Sequence, residues 1–248
     1  MKNIKKTPLF LIVIFLYSCT KNTDQYHSHS NKKKRFANSI VSTVIENKTE
    51  NKNPDFPITE GRISDIIPKK FEVQYETEGD LNGDGLPDNV LVLRRKSDTL
   101  ASRTVLVLLK NKDLSFRLDK ISPHLLPAEY NEAGYKKYDP EDISIGKGVL
   151  SVNLYNPAPY GNLFFNFKYL NHDLVLTYIE TYNAGAGSHQ SLYYEPLKGK
   201  FVQEVTNTME EEMPSETKDI RIKKQKFLFE NSSPEDIISK VYSENDVL

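Results

Sequence analysis

The stretch Phe164–Ile179, which reads FFNFKYLNHDLVLTYI, decides the fold class of this chain. Two runs rich in aromatic and branched apolar residues, Phe164–Leu170 and Leu174–Ile179, are separated by Asn171-His172-Asp173. Asn and Asp accept the positive φ that a tight hairpin turn requires, and the apolar runs have the composition of strands. This stretch therefore predicts two antiparallel strands joined by a short turn.

The same arrangement occurs at three more places in the chain. The turns are Asn111-Lys112-Asp113 between Val105–Leu109 and Leu114–Leu118, Gly146-Lys147-Gly148 between Ile143–Ile145 and Leu150–Leu154, and Lys198-Gly199-Lys200 between Leu192–Tyr194 and Phe201–Val205. Four successive hairpins predict a mainly β fold built as an antiparallel β-meander, as a curled sheet, a sandwich or a propeller-like arrangement. Because the hairpins are unevenly spaced, the regular blades of a propeller are not predicted.

Further elements extend the meander at both ends. Phe71–Thr77 alternates apolar and polar residues, which is typical of a strand with one buried face. Val90–Leu93 is apolar on both faces, as is Val105–Leu109, and this is typical of central strands. Ser233 followed by Pro234 and two acidic residues predicts the start of a short C-terminal helix that ends near Ser243.

The first nineteen residues have the layout of a secretory signal. Lys2, Lys5 and Lys6 precede the apolar run Leu9–Leu16, and the segment ends at Cys19. The run is shorter than the roughly 20 apolar residues that a membrane-spanning helix needs. We therefore expect residues 1–19 to be a signal peptide that directs export.

The end of this signal, Leu16-Tyr17-Ser18-Cys19, resembles the lipobox of bacterial lipoproteins, with Tyr17 bulkier than the motif prefers. The resemblance implies that Cys19 is lipidated, becomes the new N-terminus and anchors the chain to a membrane. We expect the outer membrane, with either its periplasmic or its surface face as the location. Cys19 is the only cysteine, so a disulfide within one molecule is excluded.

The mature chain divides into a polar segment and a folded region. Residues 20–61 contain few periodic apolar positions and predict a disordered tether, whereas residues 62–248 predict a β-rich globular domain. Without the three lysines of the signal, the 33 basic residues fall to 30 against 34 acidic ones, a net charge of −4. This charge argues against a nucleic-acid partner.

The loop Gly79–Asp88, which reads GDLNGDGLPD, has the spacing of a calcium site. Oxygen-bearing side chains stand at loop positions one, three, five and nine, a glycine at six, and a backbone carbonyl can serve at seven; the predicted ligands are Asp80, Asn82, Asp84, Leu86 and Asp88. Such hard oxygen ligands suit Ca²⁺. Position twelve is Leu91, so the loop is not an EF-hand. We predict a structural Ca²⁺ site; the alternative is a turn rich in Asn, Asp and Gly that binds nothing.

The setting of this loop between two predicted strands resembles the calcium loops of FG-GAP and VCBS-type β repeats, with their D-x-N-x-D-G-x-x-D pattern. Those families usually repeat the loop once per blade, whereas this chain has it once. Together with the hairpins at Ile143–Leu154 and Phe164–Ile179, the loop also resembles a group of bacterial lipoproteins that carry one such loop in a β domain. That resemblance implies a location and an architecture, and no activity.

A second candidate site is the aromatic loop Tyr155–Asn162. Tyr155, Asn156, Tyr160 and Asn162 combine aromatic rings with amides, a combination that can stack on a sugar or contact a protein partner. The alternative is that the tyrosines cover the edge of the sheet and the two prolines between them stiffen the loop.

Two catalytic interpretations are weaker. The acids of Asp139–Asp142 could act on a glycosidic bond, but neighbours in sequence rarely face each other across a cleft, so we expect exposed turn residues. Ser188 precedes His189 without the G-x-S-x-G pattern of a hydrolase, and a flexible loop is expected there. We therefore expect a non-enzymatic binding or accessory module of the cell envelope that contacts an envelope protein or glycan, with an envelope glycan hydrolase or an inhibitor-like or immunity-like protein as alternatives.

Overall fold

Two antiparallel sheets make up most of residues 55–156 and 161–245, the part of the chain that the computed structural model describes. The predicted signal, Cys19, most of the predicted tether and Tyr160 lie outside these residues. The first elements are β1 (Glu60–Gly61), α1 (Ile63–Ile66), β2 (Phe71–Gly79), β3 (Asp88–Arg95), β4 (Arg103–Lys110), β5 (Phe116–Leu126) and β6 (Glu141–Gly146). They are followed by β7 (Val149–Leu154), β8 (Asn162–Leu170), β9 (Asp173–Gly185), β10 (Ser188–Glu195), β11 (Lys200–Asn207), β12 (Ser215–Arg221), a 3-10 turn (Phe229–Asn231) and α2 (Pro234–Asn245).

The predicted mainly β fold with an antiparallel meander and a short C-terminal helix is confirmed. The first sheet has five strands in the order β1-β5-β4-β3-β2, and the second has seven in the order β12-β11-β10-β9-β8-β7-β6. Every strand of the second sheet pairs with its neighbour in sequence, so this sheet is a pure meander. One of the two sheets curls into a half-barrel.

The four predicted hairpins are present, and their tight turns use residues with positive φ. Lys147 and Gly148, with φ of 51° and 71°, link β6 to β7, and Asn171, with φ of 61°, follows β8. Mirror-image turns of this kind match the twist of the strands they join. Another hairpin joins β9 to β10, where we expected a flexible loop around Ser188 and His189. That expectation was wrong because the turn between the two strands is very short. Ser188 and His189 both already pair with residues of β9.

A single hydrophobic core lies between the two sheets. Val90 and Val92 of β3 contribute to it from the first sheet, and Phe165 and Phe167 of β8 from the second. The alternate residues of β3, Leu91 and Leu93, instead face a smaller cluster on the other side of the first sheet. This confirms the prediction that the apolar runs of β3 and β4 are buried on both faces.

The smaller apolar cluster, on the outer side of the first sheet, includes a residue that the sequence analysis assigned to the tether. Phe56 is 1% exposed and stacks on Phe71 at 5.3 Å between ring centroids. Asp55 forms ion pairs with Lys70 and Arg95, and Glu60 pairs with β5. The folded region therefore includes residues 55–61, which the Phe56 ring, the ion pairs of Asp55 and the pairing of β1 with β5 hold on the first sheet.

The two open sides between the sheets are closed by different contacts. On one side β2 packs against β6, and Gly79 lies so close to Ile145 that an added Cβ would stand 2.8 Å from the Ile145 side chain. On the other side the strand-like segment before α2 joins β9, where the Leu176 N–H donates to the Phe227 carbonyl at 3.0 Å. The buried ring of Phe229 then meets Phe167 edge-on at 5.4 Å.

A buried ion pair also joins the sheets and corrects one expectation. Glu141, which we expected to be an exposed turn residue, begins β6, and its side chain is only 4% exposed because it pairs with Arg103 of β4. Its neighbours Asp139 and Asp142 are exposed, as expected.

The seven-stranded sheet ends in a strand that the sequence did not reveal. β12 is largely exposed, apart from Ile220, which packs against the core, and its charges alternate in sign along its length: Glu216, Lys218, Asp219 and Arg221. Charged, exposed sequences carry little of the apolar periodicity by which strands are recognised, so this segment reads as a loop. Within residues 55–156 and 161–245, neither helix has the length and apolar character needed to span a bilayer.

Candidate functional site

The predicted calcium loop connects β2 to β3 at the corner where the edges of the two sheets meet. Gly79 ends β2 against Ile145, and Asp88 begins β3. Gly83 and Gly85 adopt φ of 81° and 84°, a backbone conformation that favours glycine. The glycines of the motif therefore shape the loop so that its polar side chains turn back onto the loop's own backbone.

Asp80 organises the outer part of the loop. Its Oδ1 accepts hydrogen bonds from the N–H groups of Gly83 at 2.8 Å and Asp84 at 3.1 Å, and its Oδ2 accepts one from Gly85 at 3.0 Å. One carboxylate thus satisfies three backbone donors of an irregular segment, which stabilises the turn.

Asn82 and Asp84 lie against each other beside Asp80. The Asp84 N–H donates to Asn82 Oδ1 and Asn82 Nδ2 donates to Asp84 Oδ2, each at 2.9 Å. The remaining oxygen of Asp84 accepts the Leu86 N–H at 2.8 Å. The hydrogen bond from Asn82, followed by that from Leu86, holds the pKa of Asp84 below its ordinary value. The structure therefore brings Asp80, Asn82 and Asp84 together on the exposed side of the loop.

Asp88 lies on the buried side of the loop and is fully inaccessible to solvent. Its Oδ2 accepts the N–H groups of Leu81 at 3.0 Å and Asn82 at 3.2 Å, and its Oδ1 accepts the Lys110 N–H at 3.1 Å. Burial raises the pKa of this carboxyl, and the three N–H donors oppose that shift. Asp88 thus fastens the loop to the end of β4, a structural role that the spacing of the motif did not reveal.

The donor set of this loop fits Ca²⁺ in its chemistry, because every ligand atom is an oxygen. Among the residues described, Asp80, Asp84 and Asp88 form no ion pair, although Arg117 and Lys112 act on Asp84 from a longer distance. In the same part of the chain, no group of three or more His, Cys, Asp or Glu side chains is arranged to hold a metal. A Ca²⁺ site in this loop would therefore also need the Asn82 amide oxygen and the Leu86 carbonyl of the predicted set.

The predicted aromatic surface is only partly described by the structure. Tyr155 packs against Phe164 at 5.0 Å between ring centroids, so its ring covers the sheet. The Asn156 N–H donates to Asn162 Oδ1 at 3.0 Å, and Asn156 Nδ2 donates to the Lys137 carbonyl at 2.5 Å. Asn156 and Asn162 therefore lie together at the base of the loop.

Asn162 also borders a cavity of about 260 Å³ between α2 and strands β8, β9 and β10. Its other lining residues are Tyr138, Leu163, Thr181, Asn183, Gln190, Leu192, Glu235, Ile238, Ser239 and Tyr242. We call this space the helix cavity. A second cavity, of about 400 Å³, lies at the start of α2 and shares Leu163 and Glu235 with the first.

Sequence analysis missed the residues of the helix cavity. One pattern in the sequence could have indicated them: polar residues occur on the inner face of two neighbouring strands that are otherwise apolar on that face. Thr181 and Asn183 follow Ile179 on β9 at alternate positions, and Gln190 precedes Leu192 and Tyr194 on β10. The hairpin register sets Gln190 opposite Asn183. Without knowledge of that register, the sequence does not indicate that these polar residues share one face.

The weak catalytic candidates are not brought into a shared site. Ser188 and His189 begin β10, where the His189 ring lies 5.5 Å from the ring of Tyr182. Glu141 is held by Arg103, as described above. Comparison of this chain with protein families, with curated proteins and with solved structures gives no match.

Proposed function

We propose that this protein is a lipid-anchored component of the cell envelope, expected in the outer membrane, whose β domain is a non-enzymatic binding module stabilised by calcium. The observation that carries the proposal is the loop between β2 and β3, where Asp80, Asn82 and Asp84 are gathered on one exposed side by hydrogen bonds within the loop, with no direct ion pair among the described residues. The lipobox-like sequence at Cys19 supports the anchored location.

Calcium would be held by side-chain oxygens of Asp80, Asn82, Asp84 and Asp88 and by the Leu86 carbonyl. The ion would neutralise the carboxylates of the loop and fix the angle at which β2 and β3 leave it. Because this loop packs against β6 at Gly79, its stability affects the contact between the two sheets. Its role in this proposal is structural.

Calorimetric titration of the full chain with Ca²⁺, together with thermal unfolding in Ca²⁺ or EDTA, tests the metal site. At a free concentration 100 times the Kd, Ca²⁺ would stabilise the fold by about 2.7 kcal/mol. For a domain of this size such a gain raises the Tm by about 5–10 °C. The double variant Asp80→Ala/Asp84→Ala should lose both the heat and the shift in Tm.

Asp113→Ala is the matched control for that double variant. Asp113 also accepts a turn hydrogen bond, from the Ser115 N–H at 3.0 Å, but it lies in the hairpin between β4 and β5. This variant should keep the calcium response unchanged. An unaltered Tm in EDTA for the natural chain, with no heat on titration, would refute the calcium site.

The anchor is tested separately by mass spectrometry of the protein isolated from its native membrane. The expected N-terminal residue is Cys19 carrying fatty acyl groups, and Cys19→Ser should release the chain from the membrane fraction. Recovery of an N-terminal peptide that begins at Met1 with an unmodified thiol at Cys19 would contradict the anchored location.

A further inference from the structure

We propose that the helix cavity binds a neutral sugar, with the inner face of β9 and β10 forming its floor and α2 its opposite wall. This inference deepens the proposed function and depends on its claim that the β domain is a binding module. It does not depend on the calcium loop, because none of the residues that line the cavity belongs to Gly79–Asp88.

The floor of the cavity is polar where a β core is normally apolar. In the hairpin register Thr181 pairs with Leu192 and Asn183 pairs with Gln190, and all four residues line the cavity. Burial of polar groups is costly unless they are hydrogen-bonded. Thr181 is nonetheless only 8% exposed, and its hydroxyl has no hydrogen-bond partner in the described structure. The hydroxyl oxygen is shielded from solvent in this structure, so a polar ligand would remove that cost by drawing the Thr181 side chain round towards the cavity.

The wall formed by α2 adds polar groups and leaves the cavity without net charge. Gln190 Nε2 reaches across to donate to the Tyr242 hydroxyl at 3.4 Å. Glu235 is the carboxylate of the lining, and Lys137 Nζ lies 2.6 Å from its Oε1. Because this carboxylate already has its counter-charge, the lining does not favour either a cation or an anion.

The lining matches the hydrogen-bonding chemistry of sugar hydroxyls. Asn162, Asn183 and Gln190 carry amides, each of which both donates and accepts, as a hydroxyl does. Tyr242, which is partly buried, supplies aromatic surface for the C–H groups of a sugar ring, whereas the ring of Tyr138 is buried in the core. Few other neutral ligands combine several hydroxyls with an apolar ring face.

The size of the cavity sets the size of the ligand. At about 30 Å³ for each water molecule, a space of about 260 Å³ has room for about nine waters. A single sugar ring with its hydroxyls is of comparable size, whereas a larger saccharide would have to extend towards the neighbouring cavity at the start of α2.

Saturation-transfer NMR and titration of the full chain with glucose, galactose, mannose and N-acetylglucosamine test the inference. At least one of these sugars should bind with a Kd on the order of 1–10 mM, as expected for so small a ligand. The charged relatives glucuronate and glucosamine should bind at least about fivefold more weakly. The NMR spectra of the added sugars should stay the same over time. Chemical conversion of a sugar would contradict the proposal that the module is non-enzymatic.

Two variants locate the binding. Thr181→Val should keep the fold, because the hydroxyl it removes has no protein partner, and should weaken sugar binding about fivefold. Gln190→Leu should weaken it by a similar factor, whereas the control Thr217→Val on the exposed strand β12 should bind like the natural chain.

Absence of binding by all four sugars, or equal affinities for the natural chain and both cavity variants, would overturn this inference. Neither result would alter the calcium or lipid measurements, so failure of this inference can be told apart from failure of the calcium site or the anchor.

Discussion

The guanidinium of Arg103 and the carboxylate of Glu141 form a two-pronged ion pair, with N–O distances of 2.6 and 2.7 Å. Their side chains are 1% and 4% exposed. Arg103 also donates to the Pro127 carbonyl at 2.9 Å and to Gln74 at 3.2 Å, so its donors face partners on several sides. Because Arg103 lies on β4 and Glu141 on β6, this pair couples the five-stranded sheet to the seven-stranded one.

Glu141→Gln should destabilise the domain by about 3–5 kcal/mol, because the substitution leaves the Arg103 charge buried without a counter-charge. Urea unfolding followed by circular dichroism measures the change. Glu244→Gln is the matched control: Glu244 lies 3.9 Å from Lys240, both side chains are largely exposed, and the expected cost is below about 0.5 kcal/mol. Equal costs for the two variants would show that the buried pair does not couple the sheets energetically.

Gly79→Ala should destabilise the corner where β2 meets β6 by about 1–3 kcal/mol. The added Cβ would stand 2.8 Å from the side chain of Ile145 and 3.1 Å from its carbonyl, and the backbone cannot withdraw without disturbing β6. Gly146→Ala, on the same hairpin of β6, has nothing within 4 Å and should be nearly neutral. Thermal unfolding of both variants tests the contact, and a neutral Gly79→Ala would contradict it.

Asp88→Asn should destabilise the domain by about 2–3 kcal/mol even in EDTA, and by more in Ca²⁺, where Asp88 is also a proposed ligand. The amide offers one acceptor oxygen where the carboxylate now accepts from Leu81, Asn82 and Lys110, so a buried N–H is left without its partner. Chemical unfolding in EDTA measures this structural contribution separately from any metal. A cost that appears only in Ca²⁺ would mean that Asp88 acts solely as a ligand.

Tyr194, which is buried, and Tyr169, which is partly buried, should respond differently to loss of the hydroxyl. Tyr194 is fully buried, and its hydroxyl has no hydrogen-bond partner in the described part of the chain, so Tyr194→Phe should be neutral or slightly stabilising. The Tyr169 hydroxyl donates to Asp119 at 2.6 Å, and Tyr169→Phe should cost about 1–3 kcal/mol. Urea unfolding of the two variants side by side checks this difference.

Acid should release the segment that Asp55 holds on the first sheet. Lys70 and, to a lesser extent, Arg95 hold the pKa of Asp55 below its ordinary value of 3.8. Because the folded pKa is lowered, the stabilisation is fully present above about pH 3.8 and is lost as the pH falls through that lowered pKa. The effect is small, since Asp55 is more than a third exposed and its charge is screened.

The nuclear Overhauser contact between the rings of Phe56 and Phe71 reports this release in an NMR titration. It should weaken below about pH 3.8, whereas in Asp55→Asn it should be weaker at neutral pH and lose that dependence on pH. A contact that stays constant in the natural chain down to pH 2 would contradict the role of this ion pair.

The sequence was sufficient to predict the strands whose apolar residues repeat and the turns whose residues accept positive φ. Asn171 and Gly148 marked their hairpins because few other residues tolerate that backbone conformation. β3 was recognisable as an inner strand because both of its faces are apolar. The C-terminal helix was predicted from Pro234 to near Ser243 and extends to Asn245, a difference of the size expected for a frayed end.

The elements that escaped prediction depend on contacts between distant parts of the chain. Glu141 looks like any acid in a turn until β4 places Arg103 beside it. Phe56 is a lone apolar residue in a polar segment, and its place becomes visible only when the folded chain brings the ring of Phe71 beside it. The helix cavity likewise requires the register of β9 against β10, which sets Thr181 and Asn183 beside Gln190. The local pattern of the calcium loop showed its oxygens but not that Asp88 turns inward.

The charged outer strand β12 affects how copies of this protein meet. A strand at the edge of a sheet has one side open to further pairing, so it can pair with the same strand of a neighbouring molecule. This risk grows when molecules are crowded. Along β12, Glu216, Lys218, Asp219 and Arg221 would have to be desolvated together in any such pairing. The charged side chains of β12 therefore oppose the pairing of this edge with other copies into fibres. Replacing them with apolar side chains should favour such polymerisation.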